Sequence, residues 1–232
     1  DRTLPPQPLQ PRPQRLDVHG MPLLKVGDLI GRRPELRRLT RVLLDSRSPR
    51  AGALIHGMGA VGKSALAGRI MERLAGQGWT VAAVAGRWGL GELAGAVSAQ
   101  LAGQRDDELA RLGGLLSRSD LSDDARLQVL GQLLAGRRFL LVLDNFEDNL
   151  TVMGQEFADE TTAGVLQTLL GAARRGRLLL TCRYPLPENA GETLAAEHLG
   201  PLSPAETLRF FHRLESLQGA DAQTVSAVLR QI

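Results

Sequence analysis

The sequence predicts a three-layer α/β fold, a parallel sheet with helices on both faces, followed by the start of a helical domain. Three observations carry that reading. Short unbroken apolar runs, 139–143 foremost, alternate with stretches whose apolar residues recur every three or four positions. A strand with no polar alternation is buried on both sides, the situation of a parallel strand between helix layers. The run 53–56 also passes directly into a glycine-rich loop and then a helical stretch, a strand–loop–helix unit.

The elements follow in order. Six of the twelve prolines fall within the first 22 residues, so 1–27 read as an extended linker or tail, with the expectation that another domain precedes it. Leu36, Leu39, Val42 and Leu43 share a helix face and mark where folding begins. After the strand at 53–56, Leu66, Ile70, Met71 and Leu74 line a second helix, and 80–85 form a second strand. Helical stretches near 92–101 and 107–116 precede a helix capped by Ser122, with Leu127, Leu130, Leu133 and Leu134 on one face. The strand at 139–143, a helix carrying Val165, Leu166, Leu169 and Leu170, a strand at 178–181 and a last one at 193–198 complete the sheet. Ser203-Pro204-Ala205-Glu206 then has the form of a capping box, with Pro at the first helical position. The expected organisation is therefore 1–27 linker or tail, 28–200 sheet domain, and 201–232 the beginning of a helical subdomain with a further helix near 221–230.

Composition narrows the function classes. The apolar runs are far shorter than the ~20 residues of a membrane span, and the proline-rich start lacks the apolar core of a secretory signal. The single cysteine, Cys182, excludes an internal disulfide or a cysteine-built zinc site, which fits a reducing cytoplasm. The net charge of +3 comes from residues 1–50, which hold 11 Lys/Arg against 5 Asp/Glu. Only Lys25 and Lys63 are lysines, and the chain has 5 Phe, 2 Trp and 1 Tyr, so the arginines read as solvated surface rather than as a nucleic-acid contact.

The chemistry centres on Gly57-Met58-Gly59-Ala60-Val61-Gly62-Lys63-Ser64, followed by Ala65, which fits the Walker A pattern G-x-x-x-x-G-K-[ST] in its strand–loop–helix context. Glycines let backbone N–H groups converge on phosphate, and the helix N-terminus adds its dipole. Lys63 is expected on the β- and γ-phosphates and Ser64 on Mg²⁺. The apolar strand ending in Asp144 has the Walker B form, so Asp144 is the second metal-side group. Asn145 cannot take a proton as a carboxylate does; Glu147 or Asp148 can serve if the loop folds back, or can remain solvated loop charges. The strand before Arg183 delivers a cation to the same sheet end, where it can read a γ-phosphate. No N-K-x-D sequence is present around either lysine, which favours adenine over guanine. A stand-alone P-loop phosphoryl transferase such as a small-molecule kinase is the alternative reading, although no arginine-rich lid is evident.

Leu29-Ile30-Gly31-Arg32, the 57–64 loop, Leu143-Asp144-Asn145-Phe146-Glu147 and Leu180-Thr181-Cys182-Arg183, in that order, resemble the STAND class of P-loop ATPases, relatives of the NB-ARC and NACHT domains. The resemblance covers about 28–232. It implies that Leu29, Ile30, Gly31 and Arg32 lie against adenine and that Arg183 acts as a γ-phosphate sensor, with Asp144, Arg183 and Glu147 as the catalytic set. It further implies an ATP/ADP switch with slow Mg²⁺-dependent hydrolysis, nucleotide-dependent homo-oligomerisation, and fused effector and sensor domains in a larger cytoplasmic signalling protein. Two departures stand out: Asn145 where many relatives have an acid, and no G-x-P motif before the chain stops.

Overall fold

The structure, a computed structural model, describes residues 29, 31–154, 156–187 and 190–211. The tail at 1–27, Ile30 and the helix expected near 221–230 lie outside the described residues. Five parallel strands, β1 (Gly52–His56), β2 (Thr80–Ala85), β3 (Phe139–Asp144), β4 (Arg177–Cys182) and β5 (Leu194–His198), form one sheet in the order β2-β3-β4-β1-β5. Among the described residues seven α-helices accompany it: α1 (Arg33–Leu44), α2 (Lys63–Ala75), α3 (Leu90–Leu101), α4 (Asp107–Leu116), α5 (Asp123–Gly136), α6 (Glu160–Ala172) and α7 (Pro204–Phe211).

The two-residue period of the strands divides the core into two layers. Ala53 and Ile55 of β1, Leu140 and Val142 of β3 and Leu179 of β4 pack against α1 and α2 through Leu39, Leu43, Leu66 and Ile70. Leu54, Phe139, Leu141, Leu143, Leu178 and Leu180 face the other way, against α3, α5 and α6. Every residue of β3 and of β4 is buried, as the unbroken apolar runs required. β5, at the edge, alternates between covered and open positions. Helix starts obey capping chemistry: Asp106, Ser122 and Asp159 each accept a backbone N–H from the first turn of α4, α5 and α6. The capping box at Ser203 is present too, with the Ser203 hydroxyl donating to Glu206 Oε2 at 2.7 Å and Glu206 N–H donating to Ser203 Oγ at 3.3 Å.

The segment after β3 is more ordered than a loop. Asn145, in the left-handed region at φ 53°, turns the chain into a 3₁₀ turn, Phe146–Asn149, whose Phe146 is fully buried against Trp88 and Phe157. No helix among the described residues is long and apolar enough to cross a membrane.

Among the described glycines, the least room for a side chain is at the start of β1, where a Cβ on Gly52 would stand 1.9 Å from the Leu178 carbonyl oxygen of β4. Gly52→Ala must therefore push β1 from β4. It should cost about 1–3 kcal/mol, the usual penalty of overpacking, measured as a lowered urea midpoint with an unchanged m-value.

Candidate functional site

The loops that leave β1, β3 and β4 open at the same, C-terminal, end of the sheet. The first begins at Gly57, whose N–H donates to the Cys182 carbonyl at 3.2 Å, while Leu199 N–H donates to the His56 carbonyl at 2.7 Å. β4 and the exit of β5 thus hold the base of the loop from both sides. A side chain has no place there: a Cβ on Gly57 would lie 2.3 Å from the Leu199 carbonyl oxygen, at φ 148°. Met58, Gly59 and Ala60 form an exposed lip, Met58 being 79% exposed, and positive φ at Ala60 and Gly62 brings the chain round into α2. Gly62, at the N-cap, provides no side-chain cap, so the first-turn amides of α2 have no side-chain acceptor from that position.

Lys63 is folded back into this loop. Its Nζ donates to the Gly57 and Met58 carbonyls, both at 2.9 Å, and the residue is buried. An ammonium has three N–H donors, so one is left for a further acceptor. Loop backbone, lysine and helix start together put positive polarity at this end of β1, which suits an anion.

Across the crevice, Asp144 ends β3 almost wholly buried, 2% exposed. Thr181, the residue on β4 beside it, donates its hydroxyl to Asp144 Oδ1 at 2.5 Å and accepts the Asn145 N–H at 3.0 Å. Thr181 is fully buried and is a site residue that the motif reading passed over. The signal was a hydroxyl at the end of an otherwise apolar strand, because a buried polar group requires a partner.

The turn made by Asn145 carries Glu147 back toward β4. Glu147 accepts the Arg183 backbone N–H at 3.2 Å and pairs with Arg183 Nε at 3.2 Å. The Arg183 guanidinium in turn lies over the phosphate loop, with its atoms 3.8–3.9 Å from where a Cβ on Gly59 would be. Arg183, Glu147 and the lip of the loop are thus brought together. Asp148 faces elsewhere, its Oδ2 3.3 Å from the Cβ position of Gly86. Cys182, between Thr181 and Arg183, is a buried thiol whose pKa burial pushes up to about 11, which makes it inert packing.

The segment before α1 reaches this end of the sheet by a different route. Leu29 packs on the α1–α2 core layer, and Gly31 and Arg32 both have positive φ. The buried Arg32 guanidinium donates to the Val61 carbonyl of the phosphate loop at 3.2 Å and to the Gly200 carbonyl after β5 at 2.5 Å, and lies 3.5 Å from Glu35. Its backbone N–H donates to Glu206 Oε1 at 3.1 Å. Arg32 is a strut joining α1, the loop, the exit of β5 and α7. The carboxyl of Glu206 is held below its ordinary range by the Ser203 hydroxyl first, then by the backbone N–H groups of Ser203 and Arg32.

Ser64, half-buried in the first turn of α2, and Asp144 offer hydroxyl and carboxylate oxygens, the hard donors that Mg²⁺ takes together with phosphate oxygens and water. Among the described residues no group of three or more His, Cys, Asp or Glu could hold a metal ion. A cation completed by the phosphates of a ligand is consistent with that donor set.

Residues 28–181 match the family described as AAA ATPase domain. No curated protein matches significantly. Among solved structures, a signal transduction ATPase with numerous domains (STAND) protein with a tetratricopeptide repeat sensor, from Pyrococcus horikoshii, is similar at TM-score 0.59 and 16% identity over 93% of this chain. The AMPPCP-bound DnaA of Aquifex aeolicus follows at TM-score 0.52 and 12% identity, covering 88% of this chain and 58% of that one. Cdc6p of Pyrobaculum aerophilum is similar at 0.50 and 17%, over 77% of this chain and 47% of that one. At such identities the likeness is one of fold, and this chain spans only 29% of the STAND protein's length. The family match runs from the strut before α1 to the threonine that fixes the β3 carboxylate, so this chain belongs to the AAA ATPase domain family of nucleotide-binding domains and has the fold of a STAND-class P-loop ATPase.

Proposed function

We propose that this domain is the ATP/ADP-binding switch of a STAND-type signalling ATPase, hydrolysing ATP slowly with Mg²⁺ and coupling the nucleotide state to oligomerisation and to an attached effector. The observation that carries the reading is the Arg183–Glu147 pair over Gly59. Gly57–Gly62 and Lys63 would hold the phosphates, Ser64 and Asp144 the metal, and Leu29 to Arg32 the adenine side. Mg²⁺, when bound, would neutralise phosphate charge and align the terminal phosphate for attack by water. Arg183 is the one guanidinium that the β4 exit delivers beside the loop, and its side chain is 59% exposed, free to exchange one anionic partner for another. A γ-phosphate competes with Glu147 for it, whereas ADP leaves the pair intact. Unequal affinity of this kind is what lets a ligand shift a conformational equilibrium.

Slow turnover follows from the same pair. Glu147 is the acid nearest the role of general base, yet both of its oxygens accept from Arg183. A carboxylate so engaged is a poor proton acceptor, and Asn145 supplies no substitute, since its part is to adopt the left-handed turn. Glu206 and Arg32 provide a mechanical link: the residue that caps α7 also holds the backbone of the strut that touches the loop at Val61. The helical segment is therefore positioned to respond to the loop.

Two measurements test the proposal. Lys63→Ala removes a charge-assisted contact worth about 1.5–3 kcal/mol, so calorimetry should find ADP and ATP bound about ten- to a hundredfold more weakly. Equal affinities would place the phosphates elsewhere. Arg183→Ala should weaken ATP more than ADP, while Glu147→Gln, which frees the exposed Arg183 side chain from an ion pair worth about 0–1 kcal/mol, should favour ATP over ADP by up to about fivefold. An equal effect of Arg183→Ala on both nucleotides, or parent turnover of tens per second, removes the switch reading.

A further inference from the structure

The opposite end of the sheet holds a cavity of about 360 Å³, at the lower end of the ~300–1,000 Å³ range typical of small-ligand sites. Leu43 and Leu44 of α1 and Trp79, before β2, are its apolar lining; Arg138, Arg174, Arg175 and Arg177, at the starts of β3 and β4, are its charged lining, beside the polar Ser46 and Gln77. The strands between are six residues long, so about 20 Å separates this cavity from the phosphate loop and one small ligand cannot span both.

Three features point to a ligand. Four guanidiniums repel one another around one cavity, and among the described residues Arg138, Arg174, Arg175 and Arg177 form no ion pair. The carboxylate close by, on Asp45, instead accepts the Arg47 N–H. Arg177 is 2% exposed and spends its terminal nitrogens on the Arg174, Gly176 and Asp45 carbonyls, but its buried Nε has no acceptor. A buried unpaired donor on a charged group carries an uncompensated desolvation cost, which burial also expresses by lowering the Arg177 pKa. Finally, Arg138, Arg174 and Arg175 are exposed, so the cavity is open to solutes at its rim.

We infer that this cavity is a second anion site, distinct from the phosphate loop, that takes a small ligand bearing a di- or triphosphate group. The forked donors of Arg138, Arg174 and Arg175 fit phosphate oxygens, and the apolar wall of Leu43 and Trp79 limits how much water competes.

The test is calorimetric titration of the 232-residue chain with inorganic tripolyphosphate at 0.15 M salt, in the parent, in Lys63→Ala and in Arg138→Ala/Arg175→Ala. A binding event that persists in Lys63→Ala and weakens by about tenfold or more in the double variant supports the site. An event abolished by Lys63→Ala and untouched by the double variant overturns it, as does the absence of any event. Both substituted arginines are exposed, so the melting transition should be retained; Arg175→Glu alone, which reverses one rim charge, supplies a second variant with the same expected loss. A single-stranded oligonucleotide titrated in parallel separates the ligand class. Binding tighter than tripolyphosphate and abolished by the same variants would make this a nucleic-acid contact and overturn the small-ligand assignment.

Discussion

Because β3 and β4 are buried on both faces, their backbone polar groups can be satisfied only by neighbouring strands in the same plane. β4 pairs with β1 on one side and β3 on the other, and that arrangement decides what stands beside what at the C-terminal edge. β1 runs into the phosphate loop, β4 carries Thr181 near its end and passes into Arg183, and β3 ends on Asp144. With β4 in the middle, its hydroxyl reaches the β3 carboxylate on one side while its arginine reaches the β1 loop on the other. A strand order without β4 between β3 and β1 would separate some of these groups by a further strand spacing of about 4.8 Å.

The conformations at the edge follow from how little room the pairing leaves. Gly57 is required where β5's exit passes within contact of the loop, and Asn145 where the chain must reverse immediately after a buried carboxylate. The Asn145 turn has a second effect, burying Phe146 against Trp88 and Phe157, so the position of Glu147 is set by an aromatic contact on the core side. Electrostatics and packing are therefore not separable here. The pair between Glu147 and Arg183 rests on a hydrophobic anchor one residue away.

Arg32 plays the same integrating part at the other side of the loop. A buried guanidinium is costly where its donors go unused; this one joins two carbonyls from distant segments and a neighbouring carboxylate, while its Nε has no acceptor. The Glu206 carboxylate closes the circuit by capping α7 and holding the Arg32 backbone at once. Two segments 174 residues apart in sequence thereby share one carboxylate at the edge of the loop.

The sequence by itself determined the layers, the strands and the phosphate loop, because these depend on local periodicity and on residue types that few other folds demand in that order. Unbroken apolar runs gave the buried strands, Ser122 and Ser203 gave helix starts, and Gly57 to Ser64 gave the loop together with Asp144 and Arg183 at strand ends. Tertiary structure alone decided the strand order, the partnership of Thr181 with Asp144, the choice of Glu147 over Asp148 beside Arg183, and the use of Arg32 as a strut. It also gathered Arg138, Arg174, Arg175 and Arg177, which a sequence reading takes as ordinary surface charge, around a single cavity. The reason is common to all of these: each is a contact between residues far apart in the chain, fixed by which strands pair and which faces are buried, and no local propensity encodes the distance between two strand ends.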